Sequence, residues 1–261
     1  LLLLLFATIF NPHQIKGSRS WLVLGPLRLQ PAEFAKFATA LAVAKIMSSY
    51  GFNLHRWKDF AIACTIVLLP MLFIIAQKET GSALVYISFF LMFYREGMTG
   101  SILVTGVAMI IYFVVGIRYE NIFLLDTSTS IGKFAVLLLV QAFSSAFIYV
   151  YCKNKPQALY VLGYSVMVTL LSFLFAEFVI PFDIVWVQLI SCAVLIGYLF
   201  YQWLSKRIAN YLYIMLFTIG SIVFFYSADY VLNNIMEPHQ RVRINVLLGL
   251  DEDLAGAGYN V

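Results

Sequence analysis

Near the carboxyl end of this 261-residue chain, His239-Gln-Arg-Val-Arg-Ile-Asn leads through Val-Leu-Leu-Gly-Leu into Asp251-Glu-Asp-Leu-Ala-Gly-Ala-Gly-Tyr259. Arg241 and Arg243 carry forked donors of the kind that grip a diphosphate. The acids that follow, Asp251, Glu252 and Asp253, could take a proton from a hydroxyl or hold a divalent cation such as Mg2+ or Mn2+. An ordinary charged loop fits the same residues.

Two further segments concentrate polar side chains. The first runs from Lys16 to Lys36 and predicts a short amphipathic hairpin over Trp21–Leu29, turning at Gly25-Pro26. It leads into a helix with Pro31 in first position and Glu33 in the first turn, where a carboxylate meets the positive end of the dipole. Lys36 follows three residues later on the same face. A capped helix entry with a local ion pair accounts for this spacing. So does a functional role, because ionisable groups entering a membrane are costly and usually retained for a purpose. The second segment, Gln77-Lys-Glu-Thr-Gly-Ser-Ala83, reverses the chain with almost no loop and sets Lys78 and Glu79 at a membrane edge. A tight polar turn is equally compatible. Cys64, Cys152 and Cys192 have no His or Cys partner at metal-ligand spacing and read as small apolar residues, so no metal site is assigned.

The elements that must position these residues are dictated by composition. The chain is 62% hydrophobic and 11% charged, with a mean hydropathy of +0.89, against roughly 45–50% and about 25% in soluble domains. Lipid must cover that surface. In lipid every backbone group needs an internal partner, which predicts helices. Runs long enough to cross the bilayer are expected near 31–49, 59–76, 80–94, 99–117, 133–152, 157–180, 184–204 and 208–234. A partial run comes before them. The prediction is an all-α, polytopic transmembrane helix bundle, one integral membrane domain over 1–261, of about eight complete spans and one partial. The chain reads as a fragment, beginning inside an apolar run without Met and stopping after a glycine-rich loop. The net charge of +4 is diffuse, suits loops beside anionic lipid, and excludes a nucleic-acid role. Lys and Arg divide evenly between the two sides, so the positive-inside rule leaves the topology open. Residues 99–204 show few polar groups at depth, the texture of lipid-facing packing helices.

Taken together, the three polar segments resemble the SEDS family (shape, elongation, division and sporulation proteins). The first loop of that family, G-[AS]-x-R-W-x-x-L-G-x-x-x-x-Q-P-[SA]-E-x-x-K, is matched by Gly17-Ser18, Trp21, Leu24-Gly25, Gln30-Pro31-Ala32-Glu33 and Lys36, with Ser20 in place of Arg. The Q-P-D-x-G-[TS] turn appears as Gln77-Lys78-Glu79-Thr80-Gly81-Ser82. The third pattern is met by His239-Gln240, Arg243, Leu247-Leu248, Asp253, Gly256, Gly258 and Tyr259, with Gly249-Leu250 where the family has Asp-Pro. The resemblance covers 1–98 and about 208–261. Residues 99–207 stand as an inserted set of about four spans, expected to be accessory. An even number of spans keeps both flanks on one side.

The resemblance implies a peptidoglycan glycosyltransferase that polymerises lipid II into glycan on the outer face of the bacterial cytoplasmic membrane. Its elongation branch is favoured over division and sporulation. It further implies Asp253 as catalytic base, and Arg243, Arg241, Trp21, Glu33, Lys36, Gln77 and Glu79 as substrate-binding residues. A class B penicillin-binding protein and the elongation machinery would be partners. A flippase for the same lipid is the competing class.

Overall fold

The computed structural model describes residues 2–9, 20–24, 27–77, 79–124, 128–178, 182–236 and 238–250, in two compact units, 1–104 and 105–261. The architecture is an all-α, polytopic helical bundle. Six helices are long and apolar enough to cross a membrane.

The first unit opens with α1 (Leu2–Ile9). A hairpin of β1 (Leu22–Leu24) and β2 (Leu27–Leu29) then pairs Leu22 with Leu29 and Leu24 with Leu27. Hairpin strands therefore form where the alternating apolar residues predicted them. α2 (Pro31–Met47) follows, with Pro31 at its start and Glu33 in the first turn, as expected. α3 (Trp57–Ala76) is joined to α2 through Gly51 in the left-handed region. α2 buries Ala32, Ala35, Thr39 and Val43, and α3 buries Ala63, Val67, Pro70 and Ile74. Each set recurs at helical spacing on one face, and the alanines let the two backbones approach closely. After the Gln77–Glu79 turn come α4 (Thr80–Leu84), a single 3-10 turn, and α5 (Ser88–Arg95).

The predicted spans at 31–49 and 80–94 are thus helical but short. α2 has 17 residues, about 25 Å at ~1.5 Å per residue, and Gly81–Arg95 is shorter still. A hydrocarbon core of about 30 Å needs about 20 residues. The six qualifying helices are α3 and five later ones.

The second unit begins within α6 (Gly100–Arg118) and continues through α7 (Ile131–Tyr151), α8 (Lys155–Phe178), α9 (Ile184–Lys206) and α10 (Ala209–Tyr230). Reversals fall at Lys153 and Arg207, both in the left-handed region. Asp183 caps α9 by accepting from the Val185 amide at 3.0 Å. Helix α7 is central: half of its apolar window is buried, against at most 39% for its neighbours.

α6 and α8 bury only 17% and 22% of their apolar windows, in keeping with the lipid-facing texture, but polar groups are also buried between the helices. Gln141 donates to Gln188 Oε1 at 3.0 Å, Gln188 donates to Thr169 at 3.0 Å, and Ser191 donates to Gln141 Oε1 at 3.3 Å. Ser144 and Thr218 hydroxyls meet at 2.8 Å. One or two such side chains per span look sparse in the sequence, but the bundle brings them into hydrogen bonds that link α7 to α9 and α10, and α9 to α8. Small hydroxyl and amide groups suit such interfaces, since lipid offers them no partners.

Candidate functional site

In the first unit, the turn after α3 brings the first two polar segments together. Gln77 is fully buried and donates to Leu5 O at 2.7 Å and to Thr8 Oγ1 at 2.8 Å. The turn is thereby anchored to the end of α1. Two residues on, Glu79 Oε1 accepts from Gln30 Nε2 and, at 2.9 Å, from Ser82 Oγ. Its other oxygen, Oε2, is buried without a hydrogen-bond partner among the described residues. Gln30 lies between the hairpin and α2, so Glu79 ties the hairpin motif to the turn motif. Trp21 is half-buried beside the start of β1. Lys36 and Glu33 form their expected pair at 2.7 Å, with Glu33 54% exposed. Lys36 is the less exposed partner, at 24%.

In the second unit, the part of the tail motif up to Leu247 is helical where a loop was expected. α10 continues into a π-helical turn, Val231–Ile235, and then α11 (Pro238–Leu247) carries Arg241 and Arg243. Gly249, in the left-handed region, ends α11, and the Leu250 amide returns to Asn245 O at 2.8 Å. Gly249 thus stops the helix at the place where the family pattern has Asp-Pro. Arg241 donates to Asn233 O at 2.7 Å, while its buried Nε has no partner among the described residues. Arg118 donates to Gly249 O at 2.6 Å. The Arg243 side chain and all of Asp253 lie outside the described residues, as do Asp251 and Glu252. No cluster of three metal-ligating side chains occurs among the described residues.

The sequence reading missed the companions of Arg241. Asn233 Nδ2 donates to Asp229 Oδ1 at 2.9 Å and reaches Glu120 Oε1 at 3.5 Å. Lys133 stands 3.6 Å from Asp229 Oδ2. Burial, and then the Asp229 charge beside it, push the Glu120 carboxyl above its ordinary range. Glu120 lies in the link between α6 and α7, inside the stretch read as accessory. No motif marks it, and only the packing of α6 beside α10 brings it to Asn233.

A family profile described as a cell cycle protein, covering FtsW, RodA and SpoVE, matches residues 1–177. The chain belongs to the FtsW/RodA/SpoVE family. The matched region takes in the hairpin, the Gln77–Glu79 turn and Glu120 of this family member, and runs on into α8. Over 91 residues it is 37% identical to the peptidoglycan glycosyltransferase RodA of Treponema pallidum, covering 35% of this chain and 21% of that protein. Over 100 residues it is 31% identical to the peptidoglycan glycosyltransferase MrdB of Escherichia coli, covering 38% and 27%. The stage V sporulation protein E of Bacillus subtilis is 30% identical over 106 residues, covering 40% and 24%. The match thus spans roughly a quarter of the length of each relative. No solved structure gives a significant match.

Proposed function

We propose that the protein is a peptidoglycan glycosyltransferase that polymerises lipid II during cell elongation, with its catalytic loop on the outer face of the bacterial cytoplasmic membrane. The family relationship, with relatives named as peptidoglycan glycosyltransferases, carries this reading. In the reaction, the acceptor's 4-hydroxyl attacks the donor's anomeric carbon, and the bond to the lipid diphosphate breaks with its electron pair leaving on the diphosphate. The hydroxyl proton passes to a carboxylate, for which Asp253 is the residue. Arg243 steadies the departing diphosphate, with Arg241 as the second cation. Asp251, Glu252 and Asp253 offer the hard oxygen donors that Mg2+ or Mn2+ would take, which would also offset diphosphate charge. Trp21, Glu33, Lys36, Gln77 and Glu79 serve the substrate from the first unit. The partners are a class B penicillin-binding protein and the elongation machinery, and helices 99–207 are accessory to the chemistry, apart from the Glu120 link.

The flippase alternative is disfavoured by where charge lies. In the six long apolar helices, every Asp, Glu, Lys and Arg falls within about one turn of an end. A transporter of a charged lipid needs such groups near the bilayer midplane. The test is polymerisation of radiolabelled lipid II by the purified full-length protein. Asp253→Asn should insert normally and lose about 10²–10⁴-fold in rate, whereas Asp251→Asn and Glu252→Gln should stay near wild type. Near-normal turnover by Asp253→Asn would end this mechanism.

A further inference from the structure

A cavity of about 280 Å³ lies at one end of the second unit, between residues 117–121 and the segment from Leu232 to Leu250. Its lining is mixed in chemistry. Ile117, Leu232 and Leu250 contribute apolar surface, while Glu120, Asn121, Asn233, Asn245 and Arg241 contribute polar groups. The polar groups mix an acceptor-only carboxylate, a donor-only guanidinium and amides that do both. The Arg241 Nε is buried with no partner among the described residues, although the same guanidinium is held in place by Asn233 O. A donor so placed is costly unless something fills the cavity and accepts from it.

The wall chemistry selects among ligands. A bare phosphate or diphosphate accepts only, and here it would face the Glu120 carboxylate with Asp229 close behind. A purely apolar ligand would leave both Glu120 and Arg241 unanswered. A sugar ring presents hydroxyls that donate and accept, and an apolar ring face besides. Ligand sites commonly run from about 300 to 1,000 Å³, so a cavity at the lower edge of that range suits one ring rather than a whole lipid-linked disaccharide.

We propose that this cavity seats a single N-acetylated sugar ring of the glycan substrate, its hydroxyl and acetamide groups bound by Glu120, Asn121 and Arg241 and its apolar face resting on Leu232 and Leu250. The assignment rests on the polymerase reading. It turns Arg241 from a second diphosphate cation into a sugar ligand, and leaves the diphosphate to Arg243. It also makes the α6–α7 link part of the substrate site.

Saturation-transfer NMR on the full-length protein in lipid nanodiscs tests this, following the acetyl methyl signals of two soluble probes. One is the free N-acetylglucosamine–N-acetylmuramic acid disaccharide, an acceptor mimic. The other is its lipid-free 1-diphosphate, a donor mimic. Asn121 is exposed at the rim, so Asn121→Trp should fill the cavity without unfolding the protein and abolish the transfer. Asn121→Ala should weaken binding about ten-fold, the loss expected for one hydrogen bond, and it decides the matter if the Trp variant melts early. Dependence on Asn121 for the diphosphate probe alone places the donor ring here, and for the free disaccharide alone the acceptor ring; either supports the proposal. Binding of both probes unchanged by either variant overturns it. So does Asn121-dependent binding of inorganic pyrophosphate with no disaccharide binding. A protein that polymerises lipid II but fails this test loses the pocket and keeps the polymerase reading. One that passes it without polymerising does the reverse.

Discussion

The backbone amide of Gly132 donates to the carbonyl oxygen of Tyr119 at 2.9 Å, which draws the first turn of α7 onto the backbone that carries Glu120 and Asn121. Ser130 reinforces the contact by donating to Glu120 O at 2.7 Å. A β-carbon on Gly132 would fall 2.3 Å from Gly116 O and 3.0 Å from Glu120 N, both backbone atoms that no side-chain rotation can clear. Gly132→Ala should therefore lower stability by about 1–3 kcal/mol, the usual cost of overpacking, read as a drop in melting temperature in detergent. Gly163 in α8 has open space around it, so Gly163→Ala should be neutral or slightly stabilising, because Ala is favoured over Gly in a helix by about 1 kcal/mol. Equal behaviour of the two variants would remove the α6–α7 contact as a determinant of the site.

Glu120 should make stability depend on pH. Its folded carboxyl holds a proton more tightly than an unfolded glutamate, through burial first and the Asp229 charge second, with Lys133 and Asn233 opposing. The folded state thus binds more protons than the unfolded one between the ordinary glutamate value and the raised one. Stability from this group is complete below the ordinary value and declines as pH rises through the raised one. Glu120→Gln should flatten that decline in melting temperature measured from mildly acidic to neutral pH. A variant with the wild-type slope would mean that Glu120 ionises as it does in water.

The hydrogen bonds between α7 and α9 predict non-additive losses. Gln141→Leu leaves the Gln188 carbonyl and the Ser191 hydroxyl without their partner, at a cost of about 1–2 kcal/mol for an interhelical hydrogen bond in a membrane protein. The double variant Gln141→Leu with Gln188→Leu should cost less than the sum of the two singles. Strict additivity in thermal unfolding would show that the two amides do not act as a pair.

The Glu33–Lys36 pair should be worth little to folding. Its 2.7 Å contact is short, but Glu33 is more than half exposed, and exposed pairs contribute about 0–1 kcal/mol. A double-mutant cycle with Glu33→Gln and Lys36→Met should give a coupling in that range, falling with added salt. A salt-insensitive coupling of several kcal/mol would place the pair in a dry environment instead.

Much of this organisation was legible in the residues themselves. Apolar length dictates helices in lipid whatever the neighbours do, so α3 and α6–α10 follow from composition. Pro31, Gly51 and Gly25-Pro26 mark local boundaries, and the Glu33–Lys36 pair follows from helical periodicity alone. What depends on distance along the chain was hidden. Gln77 reaches back to Leu5 and Thr8, Glu79 to Gln30, and Glu120 lies across from Asn233 only because α6 ends beside the end of α10. The same holds for Gln141, Gln188 and Thr169, which look like stray polar residues until three helices turn them to one seam. Periodicity records which face of its own helix a residue occupies. Which other helix that face meets is decided by packing between segments, and the tertiary structure alone determined it.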